Sequence, residues 1–195
     1  MLSSDEEKIV EEVKGFVKQA FIENPHFSFH DWTVMYDHSC NVESIAHTIA
    51  QSVACDELMV AVGALLHDIG KTYRADEKTL HLEHETFNLP VSEVFLGTLD
   101  ISRPRLEKLK KLVAFEDEGI EMQIIKEADV LAFPSDKRLY MLYIEWAFRE
   151  GLESSIQRKL EKFDKLQLAV SKKMGEPLFR NMEKDWHAYG VAHSS

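Results

Sequence analysis

Apolar residues along this chain recur at three- and four-residue intervals, the period of one face of an α-helix, and no stretch alternates strongly enough to suggest a strand. Residues 4 to 22 show the pattern first. Ser4 can cap this helix, acidic residues fill its first turn, Ile9, Val13, Phe16/Val17 and Ala20 form the stripe, and Pro25 stops it. The aromatic-rich run from His26 to Trp32 is aperiodic and reads as an ordered loop; it holds a His30-Asp31 dipeptide. From about Met35 to Ala54 a second helix aligns His38, Val42, Ile45, Ile49 and Val53 on one face, with His38 at the top of that stripe.

The pattern then changes. Leu58 to Leu66 is apolar without interruption and runs straight into His67-Asp68-Ile69-Gly70-Lys71. A helix apolar on every side belongs in an interior. This one is too short to cross a bilayer, so the rest of the chain must bury it. Asp56 can cap its start and Gly70 can end it. His67 and Asp68 therefore stand at the margin of a core. A carboxylate there needs a cation, a set of donors or a raised pKa.

Residues 72 to 88 are polar and without clear period, and read as a solvated connection that includes His81 and His84. Pro90 can open a short helix through Leu99. Ser102 can cap another over roughly 103 to 116, whose Arg105, Lys108, Lys110 and Lys111 read as a solvated face. The segment Ile120 to Phe133 lines up Met122, Ile125, Asp129 and Ala132/Phe133, so Asp129 replaces an apolar residue within an apolar stripe. Pro134 ends that helix, and Ser135 opens an aromatic-rich one through Arg149 that Gly151 stops. A long amphipathic helix is expected from Leu152 to Met174. Gly175-Glu176-Pro177 should break the chain before a short terminal helix with Leu178, Phe179, Met182 and Trp186, and the tail from Gly190 should fray.

The expectation is an all-α fold, a single-domain helix bundle over residues 1–195. A formal net charge of −11 repels phosphate backbones and argues against nucleic acid or an anionic membrane as partner. A small phosphorylated molecule, which needs only a local positive site, remains compatible. Cys40 and Cys55 make no metal-type pair and read as reduced thiols. The polar, acidic N-terminus is no signal or transit peptide, so a cytoplasmic location is expected.

His38, the pair His67-Asp68, and Asp129 thus lie on inward helix faces. The lengths between them allow antiparallel helices to bring them to one level, as in metal sites built inside bundles. Two imidazoles and two carboxylates suit Mn²⁺, Fe²⁺, Co²⁺, Ni²⁺ or Zn²⁺ better than Ca²⁺ or Cu(I). A buried polar network without metal is the competing reading.

These residues resemble the HD-domain superfamily of metal-dependent phosphohydrolases. Asp37 to Ala46 is similar to its first-histidine helix, Ala64 to Lys71 to the signature that names it, and Ile125 to Leu131 to its closing aspartate helix. The resemblance covers about residues 30 to 145. It implies an all-α fold, a divalent metal (Mn, Fe, Co, Ni, Zn or Mg) held by His38, His67, Asp68 and Asp129, and cleavage of phosphate esters, often of nucleotides. Some branches hold a second metal through further histidines. His84, in H-E-x-x-N, stands near one such position, but another reads Phe115-Glu116-Asp117, so one metal is favoured over two, with His84 as a pocket residue or optional ligand. Hydrolases acting on guanosine tetraphosphate carry an acidic pair after the signature, where this chain has Lys71-Thr72-Tyr73-Arg74. In the expected reaction Asp68 orients or deprotonates water and Lys71 offers its ammonium to the phosphate, with Arg74 and His84 as lesser substrate contacts. A catalytically silent, metal-binding regulatory module is the alternative from another class.

Overall fold

The computed structural model describes residues 2–24 and 32–193, apart from the side chains of 77, 78 and 81. The His30-Asp31 dipeptide lies outside them. The described residues form helices α1 (Ser4–Glu23), α2 (Trp32–Ala50), α3 (Glu57–Leu66), α4 (Glu77–Leu96), α5 (Arg103–Val113), α6 (Ile120–Ser135), α7 (Lys137–Arg149), α8 (Ser154–Leu160) and α9 (Ala169–His193). Short 3₁₀ turns occupy Ile69–Thr72 and Glu161–Lys165, and no strand occurs among the described residues. None of their helices is long and apolar enough to cross a membrane. The chain divides into two compact units, Met1–Lys126 and Glu127–Ser195, and the division falls inside α6.

In the first unit α3 is the axis. Every residue from Leu58 to Leu66 is buried, as a helix without a polar face requires. Helices α1, α2 and α5 pack around it. Helix α2 turns Met35, Ser39, Val42, Ala46 and Ile49 inward, and α1 turns Ile9, Val10, Val13, Val17 and Phe21. Asp56 caps α3, accepting from the Met59 amide at 3.3 Å. The capping of α1 falls on Ser3 rather than Ser4, where Ser3 and Glu6 form a reciprocal capping box.

The basic residues of α5 are only partly a solvated face. Arg105 donates to both carboxylate oxygens of Asp56 (3.0 and 2.6 Å) and to Glu6 (3.0 Å). Lys108 reaches Glu121 at 2.8 Å, and Glu121 in turn accepts from the Asp56 amide at 3.1 Å. Four helices are pinned at the start of α3 by this network. The reading of Lys110 and Lys111 as solvated holds better; Lys110 makes a surface pair with Glu93.

Residues 72 to 88 are not a solvated connection. A 3₁₀ turn is followed by α4, which starts at an Asp76 cap and runs through Pro90 without a break, so the expected short helix after Pro90 is its second half. Tertiary packing decides this: α4 lies along the 3₁₀ turn, and Leu80, Asn88, Ser92 and Leu96 are all buried at the spacing of one helix face.

In the second unit Tyr140, Ile144, Ala147, Ile156 and Met182 form the core. The Tyr140 hydroxyl donates to Asp185 at 2.7 Å, and burial together with that carboxylate pushes its pKa up to about 12. Gly151 takes φ +67°, the left-handed conformation that lets α7 end there. The expected helix from Leu152 to Met174 is instead α8, a 3₁₀ turn and the start of α9, and α9 continues through Gly175-Glu176-Pro177. Gly175 is there for packing rather than termination. A Cβ on it would meet Leu131 at 2.9 Å and Leu166 and Phe163 at 3.1 Å. Glu127 is buried and accepts from the Gln167 and Leu168 amides (2.8 and 3.2 Å), supplying donors' partners just before α9 begins.

Candidate metal centre

Successive residues of an α-helix point in different directions, so a His-Asp dipeptide inside one would not converge. Helix α3 stops at Leu66. His67 keeps helical angles, but Asp68 takes φ −114°, ψ 6°, and a tighter 3₁₀ turn follows. The change brings His67 Nε2 to 3.4 Å from Asp68 Oδ2, with both residues 4% exposed. His38, from α2, places its Nε2 3.8 Å from the same oxygen, and the two imidazoles meet edge-on with centroids 5.3 Å apart.

Two more groups close on this carboxylate. Lys71, one turn on, sets its ammonium 2.5 Å from Oδ2, and His84, from α4, sets Nε2 3.0 Å from Oδ1. Burial alone would raise the Asp68 pKa. The Lys71 ammonium, the His67 imidazole and a hydrogen bond from His84 outweigh it and hold the carboxyl well below its usual range. Asp68 is therefore an anion in a buried site, surrounded by groups that favour charge.

Asp129 lies on α6, half-buried. One turn before it, Ile125 packs on α3: a Cβ added to Gly63 would come within 2.5 Å of Ile125 Cδ1. One turn beyond Gly63 stands His67. One ligand atom from each of His38, His67 and Asp129 lies within 4.8 Å of the others, and the group could hold a metal ion.

The donor chemistry fits a divalent cation. His67 Nδ1 lies 2.7 Å from the Ala64 carbonyl, which can only accept, so Nδ1 carries a proton, and in the neutral ring Nε2 keeps the lone pair that a metal ion takes. A lone pair 3.4 Å from a carboxylate oxygen is repelled unless a proton or a cation lies between them. Ligand atoms bonded at about 2.1 Å to one ion sit roughly 3 to 3.4 Å apart at tetrahedral or octahedral angles. The His67–Asp68 separation lies at the top of that range, and the His38–Asp68 separation is a few tenths wider.

Of the expected substrate contacts, Lys71 and His84 reach Asp68 and Arg74 does not. Arg74 is exposed and lines an open cleft of about 590 Å³ with Phe16, Gln19, Glu23 and Tyr73. Burial pushes the thiols of Cys40 and Cys55 up, which leaves both protonated and poor nucleophiles at neutral pH.

One contributor carried no role in the sequence reading beyond closing the H-E-x-x-N motif. Asn88 is fully buried, accepts from the Gly70 amide at 2.7 Å and donates to the His67 carbonyl at 2.6 Å. It lies four residues after His84, on the same face of α4. That spacing is a signal only once residues 77–96 are known to be helical. Gly70 completes the contact, since a Cβ there would fall 2.0 Å from the His84 carbonyl oxygen.

The HD domain family pattern matches residues 35–133. No curated protein matches the chain. Among solved structures, an HD-superfamily hydrolase from Bacillus thuringiensis superposes with a TM-score of 0.72 at 18% identity, covering 97% of this chain and 99% of its own. Bacillus subtilis YpgQ, solved in complex with ADP, superposes with a TM-score of 0.71 at 18% identity, covering 96% of each chain. At that identity the likeness is one of fold.

Proposed function

The chain belongs to the HD-domain family, and on that premise we propose that it is a metal-dependent phosphohydrolase acting on a small phosphorylated metabolite, a nucleotide in the first instance. The observation that carries this is the convergence of His38, His67, Lys71 and His84 on one buried carboxylate. In a chain of net charge −11, the Lys71 ammonium beside a bound divalent ion would supply the local positive charge a phosphate needs. The ADP bound by YpgQ supports a nucleotide as the first class to test.

In this reading His38, His67, Asp68 and Asp129 hold one divalent ion. The bound ion supplies Lewis-acid polarisation of the phosphoryl group and an acidified water. His67 is fixed for its task by the Ala64 carbonyl, which leaves Nε2 as the ligating nitrogen. Asp68, flanked by Lys71 and His84, is a stabilised and hence weak base, so its task is to orient the attacking water rather than to store its proton. Lys71 Nζ binds a phosphate oxygen, and His84 Nε2 stays on Asp68 as a pocket residue. The water oxygen forms the new P–O bond as the ester P–O bond breaks, and one water proton passes to the departing ester oxygen, leaving an alcohol and inorganic phosphate. A cytoplasmic setting agrees with the free thiols of Cys40 and Cys55.

The test is phosphate release from a panel of nucleotides and other phosphorylated metabolites, with Mn²⁺ or Co²⁺ added, by the wild type and by Asp68→Ala. Turnover by the wild type, reduced at least about a thousandfold in the variant, is expected. Metal binding with no hydrolysis of any phosphate would identify a silent regulatory module instead.

A further inference from the structure

We infer that Asn88 is a positioning residue that enforces the break in helix α3 on which the convergence of His67 and Asp68 depends. The inference rests on the proposal that these two residues hold a divalent metal.

Had α3 continued as a regular helix, the Lys71 amide would have bonded the His67 carbonyl. It bonds the Asp68 carbonyl instead, at 3.0 Å, and the Tyr73 amide bonds Gly70 in the same tightened register at 3.0 Å. The helix end therefore exposes a His67 carbonyl, and the turn after it a Gly70 amide, in a buried place where an unmade hydrogen bond is costly. Asn88 supplies both partners from one side chain, its Nδ2 to the carbonyl and its Oδ1 to the amide. Those two backbone groups bracket Asp68-Ile69. An amide side chain is suited to this, because it alone among uncharged side chains of that size carries an acceptor and a donor side by side.

The same helix contributes more. His84, one turn before Asn88, addresses Asp68 Oδ1 at 3.0 Å and is itself oriented by donation from Nδ1 to the Leu80 carbonyl at 3.0 Å. Helix α4 thus grips the backbone of the turn at Asn88 and the carboxylate it presents at His84. Without Asn88, regular helical bonding across 67–71 competes with the turn and swings Asp68 away from His67, because neighbouring residues of a helix do not face each other.

The test uses the full chain, freed of metal by chelation, with Mn²⁺ as probe. Free Mn²⁺ is read by electron paramagnetic resonance in the wild type, Asn88→Ala and Asn88→Ser. Serine is one bond too short to span both backbone groups, so it is the milder variant and carries the test if Asn88→Ala does not fold. Ile144→Ala, in the core of the second unit, serves as a control for general loss of stability. The Asn88 variants should bind Mn²⁺ about tenfold to a hundredfold more weakly, as partners behind metal ligands do. Their Co²⁺ absorption bands should also change shape, while Ile144→Ala stays within twofold and keeps the wild-type spectrum. Asn88 variants that bind within twofold, or weakening shared equally by Ile144→Ala, would overturn the inference and leave the metal site standing. A wild type that binds no Mn²⁺ would overturn both.

Discussion

Lys71 and Asp68, three residues apart, form an ion pair at 2.5 Å with their side chains 15% and 5% exposed. Removing one partner of a buried pair leaves the other charge without compensation, at about 3–5 kcal/mol. Lys71→Met should therefore lower the stability of the metal-free protein by about 3 kcal/mol. Mn²⁺ should recover more stability for the variant than for the wild type, since one cation then replaces another beside Asp68. Urea unfolding of both proteins, with chelator and with Mn²⁺, measures the difference. An equal loss in the two conditions would separate the Lys71 pairing from the metal site.

Glu121 sets a pH dependence in the first unit. Burial would raise its pKa, but the Lys108 ammonium and the Asp56 amide win and lower it below the ordinary value of 4.5. Its folded pKa lies under its unfolded one, so its contribution is complete above the ordinary value and fades as pH falls through the folded value. Glu121→Gln should cost about 1 kcal/mol at pH 7. That cost should shrink steadily in acid. Urea midpoints of the two proteins across the acid range check this, and a constant gap would count against the assignment.

Two glycines should respond very differently to one methyl group. A Cβ on Gly63 meets only the end of the Ile125 side chain, at 2.5 Å, whereas a Cβ on Gly70 meets the backbone oxygen of His84 at 2.0 Å. A side-chain tip can turn aside, and a helix backbone cannot. Gly63→Ala is expected to cost about 1 kcal/mol, and Gly70→Ala about 3 kcal/mol or more, with loss of Mn²⁺ binding because α4 must move off the turn. Chemical denaturation and Mn²⁺ titration of both variants would show the contrast.

The helical fold and the members of the candidate centre were legible for one reason: each metal-competent side chain sits where an apolar one would otherwise be. His38 heads the stripe of Val42, Ile45, Ile49 and Val53, and Asp129 follows Ile125 by one turn, so periodicity brings both forward and the family resemblance joins them to His67-Asp68. Helix α4 was hidden because its exposed side carries Leu82 and Val94 while Asn88 and Ser92 are buried, which blurs the amphipathic pattern. With α4 unread, His84 was a pocket residue with no helix to present it, and Asn88 was the last letter of H-E-x-x-N with no role attached. Gly175 and Pro177 read as a break because sequence cannot distinguish a glycine kept for close packing from one kept for a turn. Arg105 was likewise opaque, since its partners Asp56 and Glu6 are distant in the chain and only the fold brings them together.

The most direct measurement is an anomalous-scattering map of crystals grown with Mn²⁺, recorded at the manganese absorption edge. A single peak within bonding distance of the Nε2 atoms of His38 and His67 and of carboxylate oxygens of Asp68 and Asp129 is the predicted result. A map with no peak there, or with the ion bound elsewhere while Lys71 remains on Asp68, would contradict it.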